Sequence, residues 1–263
     1  MRTNLLVVSV VLAASVAMAG PGDWKQLGKK GEWKGVQTGT SIGNKLFTTE
    51  RGGKLYVTDA TTGAWKQIGD PIFGKTVFLT SSTDTLYSME KGGSLYSINP
   101  ADGSWKQLGE AGAWGATIAG VVHEGKLYTV EAAGGLFVTE LKGGTWKAIG
   151  KPEYQDTVVL FSSGKKLYSI ERAGSLYEIN PGSGAWKRIG KEGDWRGTTA
   201  AAVLDGKLYT TSTNGVLYES DLATGAWKAL GKPEFNDTVV IFPAKSSLLT
   251  IGVGGSLYAV EVK

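Results

Sequence analysis

Three tryptophans set 81 residues apart, Trp33, Trp114 and Trp195, have the residue type and the spacing of a repeated binding platform. Each lies two residues after a glycine. Midway between them, Phe73, Tyr154 and Phe235 take the corresponding place, each two residues after a proline. A second column of charged residues accompanies them: Glu50-Arg51, Glu90-Lys91, Glu131 and Glu171-Arg172, giving way to Ser212 and Gly252 in the last two repeats. An aromatic ring beside a carboxylate and a guanidinium suits a sugar. The apolar C–H face of the sugar stacks on the ring, and its hydroxyls take charge-assisted hydrogen bonds. The same six aromatics would equally serve to plug gaps between packed sheets, and the residues alone leave both readings open.

Other chemistry is thin. His123 is the single histidine and reads as a structural residue near the end of an inner strand. Asp156 and Asp237 share a column whose third member is Lys75, which is a poor basis for the paired carboxylates of a glycosidase. There is no cysteine, so thiol catalysis and thiolate metal sites are excluded. No D-x-D-x-D-G run for calcium and no nucleophile elbow occurs. We therefore expect no enzyme activity, no cofactor and no metal. The formal charge is +4, or +3 once Arg2 is removed with a leader, and it is evenly spread. That argues against a nucleic-acid partner, which calls for a concentrated basic patch.

The elements that must position these residues follow from a repeat. Trp24-Lys25-Gln26-Leu27-Gly28 recurs at Trp65, Trp105, Trp146, Trp186 and Trp227, at spacings of 41, 40, 41, 40 and 41 residues. A fixed period of this size with strand-like content points to a propeller. Each repeat holds four runs of four to seven residues rich in Val, Thr, Tyr and Leu, separated by Gly-bearing turns, which predicts four antiparallel strands. The last repeat lacks its Trp-Lys strand and the N-terminal part begins with a spare one. We therefore expect Trp24 to Gly28 to complete the last blade and close a six-bladed all-β propeller over residues 20–263. In that arrangement the aromatic loop and the turn carrying the Glu-Arg column emerge on one face.

The six Trp of the Trp-Lys strands, each next to a Leu or Ile, read as packing between blades. Their lysines, Lys25, Lys66, Lys106, Lys147, Lys187 and Lys228, read as protection of an exposed strand edge, with an anion-binding ring as the alternative. Residues 1–19 have the pattern of a secretory signal: Arg2, an apolar run from Leu5 to Val16, and Ala17-Met18-Ala19 as a cleavage site. The run is short for a bilayer, and no other segment could cross one. Export to a periplasm or the exterior is the expectation, with no transmembrane segment after cleavage.

The string Trp-Lys-x-Leu/Ile-Gly-x-x-Gly-x-Trp, followed by Gly-Lys-Leu-Tyr or a close variant, stands at Trp24 to Trp33, Trp105 to Trp114 and Trp186 to Trp195. It resembles the repeats of tachylectin-2-type and tectonin-type propeller lectins across nearly the whole region after the leader. That resemblance implies multivalent recognition of amino sugars or cell-surface glycans, including bacterial lipopolysaccharide. Tachylectin-2 has five blades with longer repeats, and the Pro-x-aromatic repeats here depart from its pattern, so the resemblance implies three strong sites at most. The alternative is a periplasmic or surface scaffold that binds a protein partner on the propeller face, and a hydrolase or lyase comes third.

Overall fold

The computed structural model describes residues 20–263, and the expected leader lies outside the described residues. Twenty-four strands form six four-stranded antiparallel sheets arranged in a ring, a six-bladed β-propeller. Blade 1 shows the pattern: an inner strand Val36–Ile42, a second strand Lys45–Glu50, a third Leu55–Asp59 and an outer strand Trp65–Ile68. Blades 2 to 5 repeat it over residues 76–108, 117–149, 157–189 and 198–230. Blade 6 takes its inner three strands, Thr238–Ala244, Ser247–Gly252 and Leu257–Glu261, from the end of the chain. Its outer strand is Trp24–Leu27, paired Trp24↔Val260 through Leu27↔Leu257. The closure expected from the repeat is the one observed.

Short strands bury little alone, so the blades stack through six apolar clusters, one per inter-blade wedge. Adjacent residues of a strand face opposite neighbours. Leu46 packs toward blade 6, whereas Phe47 packs toward blade 2. Every inner strand carries a register shift near its start, between Val36 and Thr38 in blade 1 and at the matching places in the other five. Such bulges bend the strand and re-aim one side chain, here at the mouth of the central channel.

A glycine-to-glycine contact ties each outer strand to the next blade. The glycine ending a Trp-Lys strand meets the glycine in the following blade's outer hairpin, both at positive φ, as in Gly190 (φ 64) and Gly225 (φ 76). A Cβ on Gly225 would stand 2.5 Å from the Gly190 backbone nitrogen. Gly225→Ala is therefore expected to cost about 2–4 kcal/mol, from left-handed strain plus backbone overlap. Urea denaturation reads this directly, and a loss below about 1 kcal/mol would show that the contact is slack.

Candidate binding site

The six loop aromatics are interior residues. Trp33, Trp114 and Trp195 are 3–4% exposed, and Phe73, Tyr154 and Phe235 are 0–3% exposed. Each belongs to a different inter-blade cluster. Each also donates its backbone N–H to a turn glycine of the preceding blade, for example Trp33 to Gly255 at 3.1 Å and Phe235 to Gly215 at 2.8 Å. The indole N–H groups of Trp33 and Trp195 are used up inside the wedge, on Thr58 and Ser220 at 3.2 Å. The Tyr154 hydroxyl donates to the Gly184 carbonyl at 2.5 Å. A ring with no free face cannot stack on a sugar. The platform expected at these six positions is thus corrected: they plug the wedges where the blades splay apart.

The loop and the charged turn do share one face, as expected, since Arg51 N–H donates to Gly35 and Phe73 N–H to Gly53. The charged residues nevertheless do not frame an open ring. Glu90 is buried, with Oε1 2.7 Å from the Thr76 hydroxyl and Oε2 accepting the Lys75 N–H at 3.2 Å. Glu50, Glu131 and Glu171 are half-buried at the same level, while Arg51 and Arg172 are exposed. Burial pushes the carboxyls of Glu50, Glu90 and Glu171 up, with the negative charge of Asp156 adding to the effect at Glu171.

A raised folded-state pKa means that ionised Glu90 costs the fold stability at neutral pH. That cost is shed as pH falls through the raised value. The stability of the wild type relative to Glu90→Gln should therefore grow as pH is lowered from about 7 to about 4, because the shifts of the surface aspartates cancel in the difference. Denaturation of both proteins across that range tests it, and a difference that is flat or of opposite slope contradicts it.

The exposed aromatics are the tryptophans read from sequence as packing. Trp24, Trp65, Trp105, Trp146, Trp186 and Trp227 are 40–48% exposed. All six outer strands have three exposed residues followed by one buried Leu or Ile, so only the Leu or Ile joins the core. Each indole is braced edge-on by the Tyr or Phe of the adjoining third strand, at centroid distances from 4.5 Å for Trp24–Tyr258 to 5.3 Å for Trp65–Tyr56. Two are held further: the indole N–H of Trp24 donates to Glu234 at 2.6 Å and that of Trp186 to Glu153 at 2.8 Å.

Each Trp neighbours a Lys that is exposed in every blade, as expected of an edge strand. Lys187 and Lys228 reach Glu178 and Glu219, each at 3.3 Å. Grooves of about 270 and 340 Å³ run beside Trp65 and Trp105, bordered by Lys66 with Asp59 and by Lys106 with Asn99. A third groove, of about 340 Å³, lies beside Trp146 with Glu110 and Thr145, and the largely buried Trp114 is also among its lining residues. The sequence signal for this rim was available: the Trp-Lys strand is the last of every repeat, and the last strand of a blade has no neighbour on its outer side.

The central channel encloses about 240 Å³ and is lined from all six inner strands by residues such as Val77, Ile118, Val158, Thr199 and Val239, with no carboxylate or imidazole among its lining residues. Asp156 and Asp237 stand outside it, and their carbonyls accept the Arg172 and Val253 N–H groups. His123 is 5% exposed at the end of the blade 3 inner strand and packs on Tyr128 at 5.9 Å. Among the described residues no cluster of metal-ligating side chains occurs.

No protein-family model and no curated sequence relative matches the chain. Solved structures do. A protein of unknown function from Bacteroides thetaiotaomicron superposes with a TM-score of 0.70 at 14% identity, covering 90% of this chain and 73% of that one. A virginiamycin B lyase from Staphylococcus aureus superposes at 0.66 with 11% identity, covering 92% and 99%. The computationally designed Ika8 protein gives 0.57 at 15% identity, covering 86% and 71%. At these identities the likeness is one of fold alone.

Proposed function

We propose that this protein is an exported, non-catalytic lectin-like propeller that binds surface glycans multivalently through the six tryptophans of its rim. One observation carries the reading: six equivalent indoles are each about half-exposed at fixed radial positions and held upright by an edge-on aromatic. An exposed large aromatic is retained six times where a smaller or charged residue would satisfy an edge strand. The bracing fixes each indole before any ligand arrives, which lowers the ordering cost of stacking. The neighbouring lysine and the Asp, Asn or Glu of the adjoining groove supply donors and acceptors for sugar hydroxyls.

Weak sites repeated around a rigid ring gain avidity by about 10²–10⁴ on a target that presents repeated glycans, such as a polysaccharide or lipopolysaccharide. The non-catalytic part of the proposal is supported by the channel lining and by the burial of the one histidine. The lyase named among the similar structures is alike in fold alone. A glycan array that includes bacterial polysaccharides and lipopolysaccharide tests the reading. Saturable binding to at least one glycan class is expected. Binding to none, together with capture of a defined protein partner, would replace the lectin by the scaffold alternative.

A further inference from the structure

The six repeats depart from one another most at the channel mouth between blades 6 and 1. At the end of the second strand, blades 1 to 4 carry Glu50, Glu90, Glu131 and Glu171, whereas blade 6 has Gly252. The next position holds Arg51, Lys91 or Arg172 in three of those blades, whereas blade 6 has Val253, 67% exposed. Just before the inner strand, blades 2, 4 and 6 carry Lys75, Asp156 and Asp237, whereas blade 1 has Gly35. The two glycines face one cleft of about 470 Å³, whose other lining residues include Lys34, Gln37, Arg51, Val239 and Val253.

The openness is specific to this place. Blade 5 also has a glycine before its inner strand, Gly197, but a Cβ there would meet Thr213 Oγ1 at 2.7 Å and Ser212 Oγ at 3.2 Å. A Cβ on Gly35 would meet nothing within 4 Å. The missing side chain at Gly35 therefore leaves the cleft open on the blade 1 side, whereas on the blade 6 side a Cβ on Gly252 would meet the Asp237 carboxylate at 2.6 Å. Its two charged lining residues are both cations, Lys34 and Arg51, and neither has an ion pair among the described residues. The neighbouring Glu50 carboxylate interacts with Lys54, and that of Asp237 stands over Gly252 without lining the cleft. The side-chain amide of Gln37 donates to the Gly74 carbonyl at 3.3 Å, leaving its oxygen as an acceptor. An apolar wall of Val239 and Val253 completes the enclosure.

We propose that this cleft binds one small oxyanion-bearing molecule, its carboxylate or phosphate held between Lys34 and Arg51 and its body resting on Val239 and Val253. A guanidinium and an ammonium converging on an oxyanion give charge-assisted hydrogen bonds, and a cleft of this volume is in the range of small-ligand sites. The site is single, at the channel mouth, and independent of the six rim positions.

Two-dimensional amide NMR of the purified protein, titrated in turn with inorganic phosphate, glucose 1-phosphate, glucuronate and isovalerate, tests the proposal, with uncharged glucose as control. At least one oxyanion should give saturable shifts at Gly35, Gln37, Gly252 and Val253, with a Kd of about 1 mM or tighter. The phosphate and carboxylate arms separate the two sources of the charge. Arg51→Gln, a change at an exposed turn, should weaken binding about tenfold or more, and Val253→Glu should abolish it. Trp65→Ala/Trp146→Ala/Trp227→Ala should leave it unchanged, so that this site and the rim lectin stand or fall separately. No saturable shift with any of the four anions, or equal binding by Arg51→Gln, overturns the proposal.

Discussion

A protein lacking residues 20–28 is expected to melt about 10–20 °C lower than the complete propeller, the largest stability effect predicted for a short deletion in this molecule. Those residues supply the outer strand of blade 6 and so join the N-terminal strand to the C-terminal blade, beside the apolar wedge that already packs blade 1 on blade 6. The strand contributes four register pairs to Leu257–Glu261 and two further backbone bonds, Gly22 to Glu261 at 2.7 Å and Glu261 to Asp23 at 2.8 Å. It buries Leu27 and brings Gly22 against Gly231 of blade 5. At about 1 kcal/mol net per hydrogen bond and about 1.5–3 kcal/mol for a buried leucine, partly offset by the conformational entropy of ordering the strand, the loss is on the order of 5 kcal/mol. For a domain of this size each kcal/mol moves Tm by about 2–4 °C. The bared edge of Leu257–Glu261 should also promote aggregation on heating. Calorimetry with light scattering measures both. An unchanged Tm would mean that the ring is stable open and that the closing strand is dispensable.

The architecture was legible in the sequence because its causes are local and periodic. The turn glycines, the alternation in runs such as Leu46-Phe47 and the constant 40- or 41-residue step each point to four short strands per blade, and the missing last strand dictates how the ring closes. The exposure of the two aromatic columns is the reverse of what a sugar platform in the loops would need, for a geometric reason that no single repeat displays. Blades radiate from an axis, so the gap between them widens outward. Near the loops that gap must be filled, and Trp33, Phe73, Trp114, Tyr154, Trp195 and Phe235 fill it. At the rim it is too wide to close, so Trp65 and its counterparts keep one side uncovered even though the Leu or Ile three residues later is buried. The column varies among Trp, Phe and Tyr because each ring fills the wedge, the polar groups of Trp33, Trp195 and Tyr154 finding partners inside it. The channel-mouth cleft could not be read from the pattern because it arises where the pattern fails, at Gly35 and Gly252 together.

This reversal changes which substitutions are informative. Trp33→Ala, Trp114→Ala or Trp195→Ala is a core deletion costing about 3–5 kcal/mol, and a triple variant is expected to unfold. Loss of glycan binding in it would carry no information about the site. The rim residues are the right targets. Trp65, Trp146 and Trp227 are 43%, 45% and 48% exposed and lie outside the closing strand. Their removal should cost the fold no more than about 1–2 kcal/mol each, since about half of each indole is already in water. Losing a central aromatic anchor typically removes 2 kcal/mol or more per site, about a thirtyfold loss. Halving the number of sites lowers avidity further.

The measurement that bears most directly on the rim proposal is the affinity of wild type and Trp65→Ala/Trp146→Ala/Trp227→Ala for the best glycan found on the array, immobilised at high density, with circular dichroism confirming that both are folded. The folded triple variant is expected to bind at least about a hundredfold more weakly, and adding Trp24→Ala, Trp105→Ala and Trp186→Ala to remove what remains. Binding by the folded triple variant at wild-type strength would contradict it, because the sugar would then be held elsewhere than on the exposed indoles of the rim.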